Sequence, residues 1–450
     1  RDSMSNEELD LSQPIFEIPD DGKVRKLSAE AVQETGGESR KLIGAVSKDL
    51  IDLGSELTHL HYLAISPEPT KTKRGYNPCS LGIYYHILAQ KDLKDLSTYS
   101  NQIELRCINQ FSPNVQAKLG TSTSFYGGNE TPTIAIQKSN GKVLEMAKTF
   151  SEMAGQKDDS RSYAESFHAL AFTRLGVLRM DVDGLGAVFS QGQFAQNKRT
   201  LSRYATLSHS LDFFFKGYLN KIWEEDEQLY KYSQIIYAGG DDLFIVGRWD
   251  LLISFAEKIQ QAFRTWSCGN TKLGISGGLA IVTPKFPIAK AADMSGEAEK
   301  AAKSHDYGDE IWKKNSITLF GKPLHWEHEY PIVKALKEEI LALNKAVIGP
   351  LGKIQSYYVK SAVAHQEGAV ELENNQQGDL AWRWQLAYHI TRAAERYKKD
   401  QAFCTFLKKI KNNIFIGKDP ARKSWNTAYE YFELLSLAIR WAELERRTTR

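Results

Sequence analysis

Residues 235–247 read IIYAGGDDLFIVG: an apolar run, two glycines, two aspartates and a second apolar run. This pattern predicts a β-hairpin, because Gly-Gly is one of the few dipeptides that accept positive φ at both turn positions. Runs that are apolar throughout suit buried strands. The chemistry then sits at the tip, with Asp241 and Asp242 side by side where the second strand begins. Like charges ~4 Å apart repel by ~1 to 4 kcal/mol in the dielectric range between water and a protein surface. A divalent cation reverses that sign, and hard carboxylate oxygens suit magnesium or manganese. Taken alone, the hairpin leaves a plain acidic turn equally open.

The flanking segments decide between the two. Upstream, LGVLRMDVDGLG (175–186) is an apolar strand ending in Asp181 and Asp183. Residues 198–225 follow as a helix, its stripe at Leu201, Tyr204, Ser208, Leu211, Phe215, Tyr218 and Ile222. Downstream come a helix over 251–266, a strand LGISGGLAIV (273–282) and an Ala-rich helix over 287–303. Strand, helix, strand, strand, helix, strand is the split βαβ, ferredoxin-like arrangement. Its first and third strands are central and antiparallel. That order and the right-handed crossover rule bring Asp181 beside Asp241 and Asp242, making a three-carboxylate metal site.

A palm-like sheet with this cluster suits nucleotidyl transfer. One metal lowers the pKa of an attacking 3′-hydroxyl and a second neutralises the leaving pyrophosphate; the remainder of the catalysis is positioning. Without a Cβ, Gly239 and Gly240 let a triphosphate or base approach the hairpin backbone. Lys303, at the end of the last palm helix, is either a phosphate contact or an exposed helix-terminal lysine. Ser208, small in a stripe of large residues, leaves room for a ribose or base, or for close helix-sheet packing. No G-x-x-x-x-G-K-S/T phosphate loop and no G-x-S-x-G nucleophile elbow occurs.

The rest of the chain frames this palm. Its 450 residues, 42% hydrophobic, allow several domains with sizeable cores. With 58 Lys and Arg against 55 Asp and Glu, the net charge of +3 gives no global nucleic-acid signature. No apolar run approaches ~20 residues and RDSMSNEELDLSQ carries no signal core, so a cytoplasmic location is expected. The first residue is Arg, which suggests a piece of a longer protein. Cys79, Cys107, Cys268 and Cys404 form no C-x-x-C pair and read as core residues.

Residues 1–170 read as a β-rich domain. It opens with loops and a short helix to about 45, then shows strand candidates in LHYLAIS, LGIYYHIL, IELRCIN and TPTIAI, with an Asn140-Gly141 hairpin turn. Lys71, Lys73 and Arg74 lie in a loop, and His59 and His61 share a strand face as structural residues. Residues 171–322 are the palm and 323–450 a helical bundle, with helices near 331–347, 350–366, 380–398, 400–413 and 425–446. The polar stretches EGAVELENNQQGD and KDPARKS break them. Trp382, Trp384, Tyr388 and Tyr397 read as core rather than base-stacking platforms, and RRTTR as a frayed tail.

The pair LGVLRMDVDGLG and YAGGDDLFIVG, followed by ISGGLAIVTPKFPI and AEKAAK, resembles the second palm domain of the large, polymerase-like subunit of type III CRISPR effector complexes, Csm subtype. GGDD, rather than GGDEF or GGEEF, separates it from diguanylate cyclases. LGSELTHLHYLAIS and KTFSEMAG resemble that family's β-rich linker, and the C-terminal bundle its helical end domain. The resemblance implies synthesis of cyclic oligoadenylates from ATP, with Mg2+ or Mn2+, triggered when the guide-RNA complex binds target RNA.

Asp241 and Asp242 match the catalytic pair, Asp181 matches the first-strand metal ligand, and Asp183 lies in the same motif. The implied partners are the small subunit, the subunit that binds the guide-RNA 5′ end, guide RNA and target RNA. Three departures stand out. The linker lacks the family's paired cysteines, so no structural zinc is expected; Gly184 stands where Asn is common; and the nuclease and first palm domains have no counterpart, His305-Asp306 being a chance dipeptide. In the family two palms hold two ATP molecules between them, so this palm alone should bind metal and one nucleotide but cyclise poorly. The alternatives are a non-catalytic scaffold for RNA and other subunits, or a diguanylate- or adenylate-cyclase-like enzyme.

Overall fold

The computed structural model describes residues 14–17, 25–27, 42–45, 47–49, 51–52, 62–66, 79–80, 83–88, 104–107, 131–138, 140–188, 200–271, 273–306, 314–373, 381–415 and 428–448. His59, His61, Lys71, Lys73, Arg74 and KDPARKS lie outside them. The chain divides into two compact units, residues 1–169 with 173–304, and residues 170–172 with 305–450.

The first unit holds the palm. Strands β1 (Leu175–Val182), β2 (Ser233–Gly239), β3 (Asp242–Arg248) and β4 (Ile275–Val282) lie in the order β2-β3-β1-β4, antiparallel throughout. This is the split βαβ order, with the first and third strands central. Alternation along the strands sorts side chains onto two faces. Leu175, Val177, Val246, Ala280 and Val282 cluster with Met153, Ala154 and Ala291 on one face. Leu178, Met180, Leu243 and Ile245 are buried on the other.

Between β1 and β2 the chain runs through α1 (Leu201–Asp212), a π-helical segment Phe213–Tyr218, α2 (Leu219–Glu224) and α3 (Glu227–Tyr232). The π turn is wider than an α turn and shifts the buried face. The stripe predicted from spacing therefore fails at several positions: Leu201 is 85% exposed and Tyr218 48%. Phe214, outside the stripe, is buried beside Leu211 and Phe215.

Helix α4 (Trp249–Trp266) buries Trp249, Leu252, Ile253, Phe255, Ala256, Ile259 and Phe263, an apolar face with helical spacing. Helix α5 (Ile288–Ser304) lies directly on β4. A Cβ built on Gly278 would stand 2.2 Å from the Glu299 amide nitrogen and 2.5 Å from the Ala298 carbonyl carbon.

Upstream, strands Cys79–Ser80, Ile83–Leu88, Tyr62–Ser66 and Glu104–Cys107 lie in that order in one antiparallel sheet. Thr133–Gln137 and Val143–Ala147 form the hairpin signalled by Asn140-Gly141, with Gly141 at φ +77°. Two-residue strands at Phe16–Glu17, Arg25–Lys26 and Leu42–Ile43 replace part of the loop region expected before residue 45. Cys268 is not a core residue: it is exposed in the turn after α4, at φ +52°.

The second unit contains a hairpin, β5 (Ser316–Leu319) and β6 (Lys322–His325), that the sequence reading missed. Its helices are α6 (Tyr330–Ala342), α7 (Ile348–Glu373), α8 (Ala381–Arg396), α9 (Gln401–Phe415) and α10 (Ala428–Thr448). Helix α7 continues to Glu373, into the stretch EGAVELENNQQGD whose polar composition predicts a loop, Ala and Glu being good helix formers. Nor is RRTTR simply frayed. Arg446 is buried and donates to the carbonyls of Ile340, Leu341 and Leu343 at 2.8, 3.0 and 2.6 Å, capping the C-terminal turn of α6.

At the end of this unit's hairpin, His325 is buried and stacks on His328 at 4.8 Å, and its Nδ1 accepts from the Glu327 amide at 3.2 Å. Burial, then the neighbouring His328 and His305, push its pKa from 6.5 down to about 4. The neutral ring is the one that folds, while the unfolded chain takes up the proton first. Stability contributed by His325 is therefore complete above about pH 6.5 and lost progressively as pH falls to about 4. Denaturant titrations over that range should show His325→Phe with a flatter dependence than the parent; equal slopes would sink the assignment.

Candidate active site

The palm strands converge on the GGDD tip, where Asp181 and Asp242 are register partners across β1 and β3. The Val182 amide donates to the Asp241 carbonyl at 2.9 Å, closing the end of the ladder. The turn itself is displaced by one residue from the sequence reading: it comprises Gly240 and Asp241, and only Gly240 has positive φ, at +68°. This matches a two-residue hairpin turn with Gly first. Asp241 therefore occupies the turn, half-buried, and Asp242 opens β3.

Gly239 sits in a different setting. It is the last residue of β2, buried, and a Cβ there would stand 3.0 Å from Lys216 Cε, with Tyr237 next. Lys216 reaches from the π segment and pairs with Asp212 at 2.9 Å. The Tyr237 hydroxyl donates to the Gly239 carbonyl at 3.0 Å; burial first, then the charges of Asp242, Asp241 and Asp212, push its pKa up. Ser208 lies one turn before Asp212 on that helix and is exposed. Its small size is therefore not explained by close packing on the sheet, which removes one of its two readings.

Asp183 is buried at 5% exposure. Its Oδ2 accepts from Ser276 Oγ at 2.7 Å and its amide donates to the Gly274 carbonyl at 2.9 Å. Gly184, at φ +71°, then turns the chain away from β1.

Lys303 comes to the carboxylates from α5: its ammonium is ion-paired with Asp181 and lies 3.3 Å from Glu299. It is thus not merely an exposed helix-terminal lysine. Glu299 also faces Arg179 at 3.5 Å. Burial raises the Glu299 pKa above the usual carboxylate range; Arg179 opposes this, while Asp242 and Asp183 add to it. Glu299 and Arg179 were not singled out from the sequence. Both had a signal, Glu299 lying four residues before Lys303 and Arg179 two before Asp181 on the same strand face.

Lys303 thus pairs with Asp181 and Glu299, Arg179 faces Glu299, and the charges of Asp242 and Asp183 are felt at Glu299. Hard oxygens opposed across a strand pair are the donor chemistry that divalent cations use, and the ammonium on Asp181 shows that the cluster attracts a cation. As the side chains stand, no group of three or more His, Cys, Asp or Glu among the described residues is gathered to hold an ion. Lys303 occupies the Asp181 carboxylate, which must exchange it to ligate one. Elsewhere, His305 Nε2 lies 2.6 Å from Glu329, a pairing within the second unit. No helix among the described residues is long and apolar enough to cross a membrane.

Residues 174–318 match the family model of the Cas10/Cmr2 second palm domain. The chain is 35% identical over 202 residues to the single-strand-specific deoxyribonuclease Cas10/Csm1 (subtype III-A) of Methanocaldococcus jannaschii, covering 41% of this chain and 25% of that protein. It is 32% identical over 253 residues to the protein of the same description from Streptococcus thermophilus, covering 55% and 30%. The chain therefore spans 25% and 30% of the length of these relatives.

Among solved structures, it aligns with a Csm1-Csm4 cassette in complex with pppApA at a TM-score of 0.51 and 18% identity, over 88% of this chain and 50% of the other. With Csm1 of T. onnurineus the TM-score is 0.50 at 18% identity, over 92% and 60%. These two likenesses are of fold.

Proposed function

We propose, taking residues 174–318 as a second palm domain of the Cas10/Cmr2 type, that this chain is the nucleotidyl-transfer part of a type III-A CRISPR effector's large subunit. Its product is a cyclic oligoadenylate made from ATP, formed when guide RNA pairs with target RNA. Its partners are a small subunit and a subunit that binds the guide-RNA 5′ end. The observation that carries this reading is the register pairing of Asp181 with Asp242, beside Asp241 at a glycine turn. Acidic residues opposed across central strands serve no packing purpose, and their repulsion calls for a cation.

In this reading Asp181, Asp241 and Asp242 hold Mg2+ or Mn2+, which supplies charge neutralisation and a more acidic 3′-hydroxyl. Gly240 keeps the hairpin tip open to the triphosphate, and Gly239 opens to it when Lys216 swings aside. Lys216, over Gly239, and Ser208, on the exposed continuation of its helix, face the nucleotide side. Asp183, tied to Ser276, fixes the end of β1 and so the aim of Asp181. Lys303 neutralises Asp181 in the empty site and turns to the triphosphate when substrate enters.

The last step gives opposite effects for two ligands. Lys303→Met should raise the affinity of the chain for Mn2+ without nucleotide by about tenfold, because its competitor for Asp181 is gone. It should lower ATP affinity by about tenfold, the worth of one charge-assisted contact. Calorimetric titration of both ligands checks this; two shifts of the same sign would refute the exchange. The function itself is tested by incubating the assembled effector with ATP, Mg2+ or Mn2+ and complementary RNA, then analysing products by mass spectrometry. An intact, RNA-bound assembly that makes no cyclic adenylate under any condition would leave the chain a scaffold.

A further inference from the structure

The second unit carries an exposed surface that its helix packing does not use. Helix α8 turns Leu386, Ile390 and Ala393 into the bundle. Trp384 and Tyr388, expected in the core from spacing alone, are 64% and 61% exposed. They stand one turn apart, and Arg392 continues the row with its guanidinium 6.0 Å from the Tyr388 ring. Arg392 and Arg396 then line a pocket of about 720 Å3 with Lys353 of α7, His389 and Glu395. Glu395 lies 3.4 Å from Arg392.

We propose that this surface binds single-stranded RNA. Two exposed rings at helical spacing give stacking platforms for successive bases. The two arginines and Lys353 meet the phosphates between them, and Glu395 accepts from a ribose 2′-hydroxyl. Charge decides for a polyanion over a protein helix, since an apolar partner covering Trp384 and Tyr388 would have to desolvate three cations against one carboxylate. The inference stands on this surface alone and holds whether or not the palm transfers nucleotides.

The test is fluorescence anisotropy of the full chain with a labelled oligouridylate over a range of potassium chloride. Trp384→Ala with Tyr388→Ala should weaken binding by about tenfold or more, and Trp384→Phe with Tyr388→Phe should restore most of it, because stacking needs a π face rather than a particular ring. Arg392→Gln with Arg396→Gln should flatten the slope of log K against log salt by about 1.4, or about 0.7 per lost phosphate contact. Oligothymidylate should bind more weakly than oligouridylate.

Unaltered melting temperatures would separate these effects from misfolding, as expected for exposed positions. Three results would overturn the proposal. One is RNA affinity within twofold of the parent in both the alanine and glutamine variants. Another is DNA bound as tightly as RNA. The third is self-association lost in the alanine variant at unchanged RNA affinity, which would mark a protein-docking face.

Discussion

Replacing Asp241 and Asp242 together by alanine is expected to lower cyclic adenylate formation by ~10³-fold or more, in an effector that still assembles and still binds target RNA. The size follows from what the pair is asked to supply: a loss of ~4 kcal/mol of transition-state stabilisation is ~10³ in rate, and metal-borne charge neutralisation contributes several kcal/mol. The fold should survive. Asp241 is tied into the ladder by its carbonyl, which accepts from the Val182 amide, and not by its carboxylate. Asp242 keeps its place in β3 through backbone pairing with Gly239 and Asp181. Removing two carboxylates from a crowded acidic cluster also relieves repulsion, so stability should hold or rise slightly. Mass spectrometry of the products, beside electrophoretic assay of the assembly on RNA, reads both halves. Product within tenfold of the parent would show that the GGDD carboxylates are not the catalytic ones.

How much of this site can be read from residues depends on whether each feature is local, topological or set by contact. The meeting of Asp181 with Asp242 was legible because a βαββαβ order fixes which strands are central, and the start of one strand must then lie beside the end of the other. The turn was misplaced by one residue because both glycines look alike in sequence. Gly240 is there for its φ, whereas Gly239 lies under Lys216, a contact from a π-helical segment that no periodicity announces. The exposure of Trp384 and Tyr388 was misjudged for a related reason. Spacing shows that aromatic residues share a face of α8, but not whether that face or the one with Leu386 and Ile390 meets the bundle. Two-residue strands such as Phe16–Glu17 are too short to carry any alternation at all.

A second large effect is expected at Gly278, where the substitution removes nothing and adds one methyl group. Gly278→Ala should cost the first unit ~3 kcal/mol or more, at the upper end of overpacking, and lower its melting temperature by roughly 6 to 12 °C. The added Cβ would meet backbone on α5, 2.2 Å from the Glu299 nitrogen and 2.5 Å from the Ala298 carbonyl carbon. Backbone atoms have no rotamer in which to escape, so the whole helix must lift from β4. Gly240→Ala provides the comparison: its φ of +68° is unfavourable for alanine, but nothing lies within 4 Å of the new Cβ. A cost of ~1 to 2 kcal/mol is expected there.

The consequence of Gly278→Ala for the site is larger than its stability cost suggests. Arg179, which faces Glu299 on α5, is the register partner of Gly278 on β1. Lys303 hangs from the same helix one turn further on, so lifting α5 draws the ammonium away from Asp181 and loosens Glu299 from Arg179. Nucleotide affinity should therefore fall in Gly278→Ala at temperatures where the protein is still fully folded, and should be retained in folded Gly240→Ala to the extent that the tip keeps its turn. Denaturant unfolding with an unchanged m-value, paired with ATP titration well below the melting transition, measures both effects. A Gly278→Ala protein destabilised by less than 1 kcal/mol would mean that α5 shifts freely on the sheet, and that the seating of Lys303 over Asp181 is not set by this glycine.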